Sequence, residues 1–295
     1  MCDQVEPIFK AIEFIESHLQ EDLAVAQIAD AAGYSLFHFM RKFNQTVHHT
    51  PYDYLMRRRL SEAAKALVQS DLRILDIACD YGFHDQETFS RVFRRMFQMT
   101  PSQCRKQNGI TTRCLMAAKT IEDLQFINGE HFHMPHIDEK KETVLFGLMT
   151  RADSGKPNVD IQCEELIQDL TAAGGLKADA MIYCHTLRMD ANRQNSYRFV
   201  GAEETAFDVL PSLLVRSILP SGRYLCMDAP QAQASLALAY LYSSWLPGAN
   251  LEGKGDQEIT RLSIGTLEEE RQITILIPIK EAGQKKQTTM EGSDD

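Results

Sequence analysis

A duplicated segment in the first third of the chain limits the possible folds more than any other feature. An isoleucine, an alanine and a glycine recur 49 residues apart, as Ile28, Ala29 and Gly33 and again as Ile77, Ala78 and Gly82. Beyond one inserted residue the spacing is 50, and it pairs Phe39 with Phe89, Arg41 with Arg91, Phe43 with Phe93 and Thr50-Pro51 with Thr100-Pro101. Each copy has two apolar stripes at helical spacing with a glycine between them. The sequence therefore predicts two helix-turn-helix units.

The segment between the copies predicts a connecting helix. Residues 51–69 begin with a proline, keep an apolar stripe and contain no later helix breaker. A helix of this length spans roughly 27 Å. Successive major grooves on one face of a DNA duplex lie roughly 34 Å apart, so the two units of one chain are spaced to read two half-sites without dimerising.

The charge of the chain is unevenly distributed. The formal net charge is −10, which argues against nucleic-acid binding, yet residues 36–106 carry 12 basic and 7 acidic side chains. Arginines are bunched at 57–59 and at 91–95. Such bunching indicates either a phosphate-facing surface or a solvated face with no partner. For residues 57–59, a solvated or intradomain role and DNA contact remain equal alternatives.

The first 108 residues resemble the DNA-binding domain of the AraC/XylS family. The resemblance is carried by IADAAGYSLFHFMRKF and by RILDIACDYGFHDQETFSRVFRRMFQMTPSQCR. It implies a seven-helix domain that binds double-stranded DNA, acts on transcription and has RNA polymerase as a partner. It places base-reading positions at Phe37, Met40, Arg41, Asp85, Gln86, Glu87, Ser90 and Arg91. It places phosphate-contacting positions at Lys42, Thr88, Arg94 and Arg95.

The chemistry of these side chains agrees with the resemblance in part. Arg41 and Arg91 can each bond a guanine bidentately, and Gln86 can do the same for adenine. The two apolar positions of the first recognition helix offer only contact, for example to a thymine methyl group. Glu87 departs from the glutamine found in relatives, and it either accepts from a cytosine amino group or repels phosphate.

The second half of the chain predicts an α+β domain. Residues 109–142 are expected to connect the two domains. This segment contains His131, His133 and His136, but no carboxylate or cysteine is placed to complete a metal site with them. From Thr143, periodicity predicts strands at 143–150, 179–188, 195–202, 212–228, 258–264 and 271–280, and helices at 158–173 and 231–246. This order is a duplicated strand-helix-strand-strand unit, forming antiparallel sheet with helices on one side. Residues 283–295 are polar and are expected to be disordered.

This second domain, 143–282, is similar to the GyrI-like effector-binding domain. The matching segments are LPSGRYLCMDAP at 219–230, YLYSSWLP at 240–247 and ITILIPIK at 273–280. The resemblance implies a small-molecule effector in an aromatic groove between the repeats. Thr260 stands where relatives carry a glutamate, which disfavours a cationic ligand unless Glu258 or Asp228 substitutes. The expected effector-binding residues are Tyr183, Tyr197, Tyr224, Trp245, Glu258 and Thr260.

Three classes of function remain to be compared. A ligand-responsive transcription regulator is the first, and a DNA-binding regulator whose second domain is a protein-docking or sequestration surface is the alternative. An enzyme using Glu258 or Cys226 finds no support, because no Ser-His-Asp order, metal set or glycine-rich phosphate loop is present. No catalytic residue, metal or cofactor is therefore expected. No membrane-spanning run or secretory signal is visible, so a cytoplasmic protein is predicted.

Overall fold

The chain folds into a helical part followed by a domain built on one antiparallel sheet. The computed structural model describes residues 2–107, 115–151, 159–188, 196–249, 251–254, 257–264 and 271–281. The tail predicted at 283–295 lies outside these residues. Within the described parts of the chain, no helix is long and apolar enough to cross a membrane.

Seven helices form the first part, as the sequence analysis predicts. They are α1 Cys2–Ser17, α2 Val25–Ala31, α3 Leu36–Val47, α4 Pro51–Gln69, α5 Ile74–Asp80, α6 Gln86–Phe97 and α7 Pro101–Lys106. Helices α2 and α3 pack together, and so do α5 and α6. These are the two helix-turn-helix units, with α3 and α6 as their second helices.

The turns of the two units have the same geometry. Gly33 and Gly82 have φ angles of 73° and 76°, in the left-handed region that glycine enters without steric cost. The amide after each glycine donates to the alanine carbonyl of the preceding helix, at 3.0 Å in the first unit and 2.9 Å in the second. At Gly82 a Cβ would also come within 2.6 Å of Arg59 Nη1, so a larger residue there would have to displace the Arg59 guanidinium.

Helix α4 connects the units and contributes to the core of each. It begins at Pro51, where the Thr50 side chain accepts a hydrogen bond from Asp53 N at 3.2 Å, and it continues for 19 residues. At 1.5 Å per residue it is about 28 Å long. Its first turns pack in the core of the first unit, and the following turns pack in the core of the second. Five phenylalanines of α3 and α6, Phe39, Phe43, Phe89, Phe93 and Phe97, are buried in these two cores.

The segment predicted to connect the two parts is itself structured. Helix α8, Ile121–Ile127, follows a capping box in which Thr120 and Asp123 exchange hydrogen bonds. Leu124 lies in the core of the first helix-turn-helix unit, whereas Phe126 and Ile127 lie in the core of the sheet domain. Strand β1, His136–Lys140, pairs with the sheet. Part of this segment therefore belongs to each core.

The sheet domain contains nine strands in its described residues. After β1 they are β2 Thr143–Arg151, β3 Met181–Arg188, β4 Ser196–Glu203, β5 Val215–Leu219, β6 Gly222–Pro230, β7 Leu251–Gly253, β8 Ile259–Ser263 and β9 Gln272–Glu281. The order is β1-β6-β9-β8-β3-β4-β2-β5, with β7 beside β9, and every pair is antiparallel.

Two predicted elements differ from the structure. The strand expected over 212–228 is two strands, β5 and β6, because the chain turns back after Pro220 through Gly222, whose φ is 147°. The helix expected over 231–246 is divided. It comprises α10 Ala234–Tyr240, a π-helical turn Leu241–Trp245 and the short helix α11 Leu246–Gly248.

The strand order is symmetric about the central pair β3 and β8. If β1 is exchanged with β5, β2 with β6, β3 with β8 and β4 with β9, the strand order reads the same from the opposite end. Helix α9, Val159–Ala172, packs on β2 and β4, and α10 packs on the equivalent strands β6 and β9. The predicted duplication of strand-helix-strand-strand units is therefore present in the structure.

Both faces of this sheet bury apolar side chains, although the helices cover only one. The helix-covered face carries the main core, which includes Ile182, Cys184, Val200 and Met227. The helix-free face carries a second cluster of Leu145, Tyr183, Phe199, Leu219, Tyr224, Cys226, Ile259 and Leu276.

Candidate nucleic-acid interface

Helix α3 presents the first group of predicted base-reading residues to solvent. Phe37 is 82% exposed and Met40 is 46% exposed, and Arg41 is exposed beside them. Their spacing of three and four residues places them on one face of the helix. Phe39 and Phe43 point the opposite way and are fully buried. A large exposed aromatic side chain on a helix anchored from behind is available for contact with a partner.

Helix α6 presents the second group. The exposed side chains are Gln86, Glu87, Arg91, Arg94 and Arg95, and Thr88 and Ser90 are half-buried. The phenylalanines between them anchor the opposite face of the helix in the core of the second unit. The helix is therefore strongly amphipathic, with a polar and largely basic outer surface.

Asp85 has a structural task at the start of α6. Its Oδ1 accepts a hydrogen bond from Thr88 N at 2.6 Å, which caps the helix. That hydrogen bond lowers the pKa of Asp85 below its ordinary value. The carboxylate therefore fixes the end of the helix that carries Gln86.

The outward arginines of the two recognition helices are open to solvent. Among the residues that the structure describes, no carboxylate lies within ion-pair distance of Arg41, Arg91, Arg94 or Arg95. Four guanidinium groups on the two recognition helices are therefore left to water or to an external anion. Their charge is available for phosphate or for the acceptor edge of a guanine.

The arginines of α4 point inward, and this decides between the two alternatives for residues 57–59. Arg58 and Arg59 are only 4% and 6% exposed. Their partners are Asp53 for Arg57, Glu16 and Glu62 for Arg58, and the backbone carbonyl of Leu19 for Arg59. The role of these three arginines is within the domain.

One exposed residue of this surface is absent from the predicted set. Asn44 is exposed on α3, one turn beyond Arg41. The spacing of Phe37, Arg41 and Asn44 follows the helical period, which is the signal that places Asn44 on the same face. Asparagine can bond adenine bidentately, so its chemistry suits this position.

Known proteins resemble the part of the chain that carries this surface. The family described as "Helix-turn-helix domain" matches residues 28–107. The probable transcription factor PqrA of Proteus vulgaris is 39% identical over 112 residues, which are 37% of this chain and 92% of PqrA. The regulatory protein SoxS of Escherichia coli (strain K12) is 43% identical over 94 residues, 32% of this chain and 88% of SoxS. The chain belongs to the AraC/XylS family.

As a member of the AraC/XylS family, the protein is a DNA-binding transcription regulator. The transcriptional regulator Rob of Salmonella typhimurium (strain LT2) is 35% identical over 133 residues, 43% of this chain and 46% of Rob. The match thus spans about half the length of Rob. Relatives of this kind are regulators rather than enzymes. None of these three matches covers more than 43% of this chain, so the function of the sheet domain is argued from its own residues.

Three of the predicted effector-binding residues lie on the helix-free face. Tyr183 and Tyr224 are buried there, and their hydroxyls donate to Glu203 Oε1 at 3.1 Å and to Pro220 O at 2.7 Å. Burial raises the pKa of both phenols. Tyr197 is half-buried, two residues along β4 from Phe199 and therefore on the same face.

The other three predicted effector-binding residues, Trp245, Glu258 and Thr260, lie on the helix-covered face. The six predicted residues therefore do not line one groove. Thr260 pairs with Cys184 of the main core, and side chains of directly paired residues share a face. Trp245 packs against the same core. Glu258 lines a cleft beside α10. The separation follows from strand register, which sequence periodicity does not supply.

Cys226, one of the two residues considered as an active group, is placed unfavourably for catalysis. It is 2% exposed in the cluster on the helix-free face. Burial raises the pKa of its thiol above the ordinary value. A buried thiol with little thiolate is a poor nucleophile.

Proposed function

We propose that one chain reads two DNA half-sites, one with α3 and one with α6. The observation that carries this proposal is a pair of exposed arginines, Arg41 and Arg91, at equivalent positions of the two helix-turn-helix units, with no carboxylate within ion-pair distance of either in the described part of the chain. Helix α4 holds the units apart over about 28 Å, a length that suits recognition helices in successive major grooves. RNA polymerase is the further partner in this proposal.

The proposed contacts divide into reading and positioning. Arg41 and Arg91 bond guanine, Gln86 bonds adenine, and Phe37 and Met40 contact a thymine methyl group. Asp85, Glu87 and Ser90 complete the base-facing set, where Glu87 accepts from cytosine or excludes other bases. Lys42, Thr88, Arg94 and Arg95 hold the phosphate backbone and carry little sequence information.

Two single substitutions on α6 test this division. Arg91→Ala is expected to weaken binding to the specific site by about 1–3 kcal/mol, because a bidentate contact to guanine is lost. Arg94→Ala is expected to weaken binding to all duplexes alike, because it removes only a phosphate contact. Fluorescence anisotropy on a specific and a scrambled duplex, repeated over a salt series, measures both effects.

Arg91 and Arg94 are both exposed arginines on α6, so each variant is a control for the other. The ratio of specific to non-specific affinity should fall for Arg91→Ala and stay constant for Arg94→Ala. Equal losses on both duplexes for both variants would refute the assignment.

For the sheet domain, we infer a GyrI-like effector-binding function. The duplicated strand-helix-strand-strand units and the aromatic side chains of the helix-free face support it. In this proposal Tyr183, Tyr197 and Tyr224 form the aromatic wall of the effector site. Trp245, Glu258 and Thr260 lie on the opposite face of the sheet and do not contact the same ligand. The proposed units are a DNA-binding domain to residue 108 and an effector-binding domain from 143 to 282, joined by 109–142.

A second candidate function for the sheet domain rests on an exposed apolar strip. Leu213 is 85% exposed and Val209 is 73% exposed, and they precede the outermost strand β5. Val215 and Ile218 on β5 are exposed as well. An outer strand with apolar neighbours can pair with a strand of another protein, so this strip favours the docking alternative. Saturable stabilisation of the whole chain by a small molecule supports the effector function instead.

A further inference from the structure

Two cysteines meet where helix α9 packs on the sheet. Cys184 lies on β3, is 5% exposed and belongs to the main core on the helix-covered face. Cys163 lies on α9, is half-buried and packs against the same core. It precedes the buried Leu166 and Leu170 at helical spacing, which places it on the face of α9 that contacts the sheet. The packing of α9 on the strands therefore brings the two side chains together.

The two thiols are in direct contact. Cys184 is hydrogen-bonded to Cys163, and this hydrogen bond together with burial raises the pKa of Cys184 well above its ordinary value. Cys184 therefore keeps its proton, and Cys163 is the member of the pair that solvent reaches. A disulfide needs an S–S distance of about 2.05 Å, so side-chain rotation and a small approach of α9 complete the bond from this contact.

An ion pair holds this turn of α9 on the sheet. Glu164 follows Cys163, and its Oε1 lies 2.6 Å from Arg271 Nη1. The same oxygen accepts from Gln231 Nε2 at 3.0 Å. Arg271 directly precedes β9 and Gln231 directly follows β6, so both partners are fixed to strands. The position of Cys163 over the sheet is therefore set by groups on both sides of it in space.

A buried cation lies beside the cysteine pair. Arg198 is 9% exposed, and its Nη1 donates to Thr186 Oγ1. Its buried Nε has no hydrogen-bond partner, and no carboxylate lies within ion-pair distance of it, in the part of the chain that the structure describes. The charge of Arg198 acts against the rise in the pKa of Cys184. A cation at this place stabilises negatively charged sulfur, in a thiolate or in a deprotonated sulfenic acid.

We propose that Cys163 and Cys184 form a reversible disulfide when the protein is exposed to hydrogen peroxide. The sulfur of Cys163 attacks one peroxide oxygen, the O–O bond breaks, and the leaving hydroxide takes up the proton released by Cys163 to form water. The sulfur of Cys184 then attacks the sulfenic sulfur of Cys163, the S–O bond breaks, and the hydroxyl group leaves with the proton of Cys184 as a second water. The two thiols lose two electrons to the peroxide, and a dithiol reverses the reaction. This site lies apart from the recognition helices and from the effector surface on the helix-free face.

The test uses the reduced full chain, which is treated with hydrogen peroxide, quenched with N-ethylmaleimide and analysed by peptide mass spectrometry. The expected product is a pair of peptides linked through Cys163 and Cys184, which dithiothreitol separates. The oxidised protein should also unfold at a higher urea concentration than the reduced protein, because the crosslink restricts the unfolded chain.

Three variants and one change of conditions are the controls. Cys163→Ser and Cys184→Ser should each abolish the linked pair. In Cys184→Ser, dimedone should trap a sulfenic acid at Cys163, because the second thiol is absent. Cys79 is exposed on α5, so Cys79→Ser should leave the linked pair unchanged. In denaturing urea the preference for this pair should be lost, because the fold no longer holds the thiols in contact.

The proposal is overturned if the folded, unsubstituted protein yields no Cys163–Cys184 pair, or if Cys163 is oxidised to sulfinic acid without forming a disulfide. It is equally overturned if the pair forms to the same extent in denaturing urea. These outcomes are read in the unsubstituted protein, so they hold even if a cysteine variant fails to fold.

Discussion

Arg58→Met is expected to destabilise the helical part by about 3 kcal/mol, because it leaves two half-buried carboxylates and the carbonyl of Met116 without their donor. Arg58 Nη2 lies 2.7 Å from Glu16 Oε2 and 2.9 Å from Glu62 Oε1, and its Nη1 donates to the carbonyl of Met116. Burial alone would lower the pKa of Arg58, but the hydrogen bonds and the charge of Glu16 raise it. Urea denaturation followed by far-ultraviolet circular dichroism measures the loss.

A surface arginine provides the control. Arg73 forms an ion pair with Asp76 at 2.7 Å, but its side chain is 79% exposed. Because solvent screens such a pair, Arg73→Ala should leave the denaturation midpoint unchanged within error. Equal shifts for Arg58→Met and Arg73→Ala would contradict the role assigned to burial.

Lowering the pH from 6.5 to 4 is expected to destabilise the sheet domain by about 3 kcal/mol through His185. His185 is 2% exposed and meets Phe199 edge-on, with ring centroids 4.9 Å apart. Burial, with the charge of Arg198, lowers the pKa of His185 from 6.5 to about 4. As the pH falls, His185 is therefore protonated at a higher pH in the unfolded chain than in the folded protein. This stability is fully present above pH 6.5 and is lost as the pH falls towards 4.

The pH dependence is measured by urea denaturation at several pH values, in the unsubstituted protein and in His185→Phe. The substitution should reduce the slope of stability against pH in this window, whatever its effect on absolute stability. His133→Gln, at an exposed position, should keep the original slope. Asp53, whose pKa is lowered to about 2, loses its stabilising charge only below pH 3.8, outside the window. Identical slopes for the unsubstituted protein and His185→Phe would count against the assignment.

Local signals were sufficient to predict the helical part. Helix α4 has the predicted bounds because its start is marked by Thr50 and Pro51, and its end by the loss of the apolar stripe. The repeated glycines predict the two turns, since only glycine enters that backbone region freely. The apolar stripes of the recognition helices assign their buried and exposed faces.

Long-range contacts explain what the sequence did not predict. The clusters at 57–59 and 91–95 look alike in sequence, but Arg58 is drawn inward by Glu16, which lies 42 residues away along the chain. Strand periodicity located most strands, but only the pairing of Cys184 with Thr260 shows that Thr260 and Tyr183 lie on opposite faces. Strand β1 is short and mostly polar, so its pairing with β6 had no apolar signal.

The central claim is that a single chain reads two half-sites, and a selection from random duplexes tests it most directly. The unsubstituted protein should enrich a motif with two halves spaced by roughly one helical turn of DNA. Arg41→Ala should relax the base preference in one half only, and Arg91→Ala in the other half only. Enrichment of a single half-site, or relaxation of the same bases by both variants, would contradict the claim.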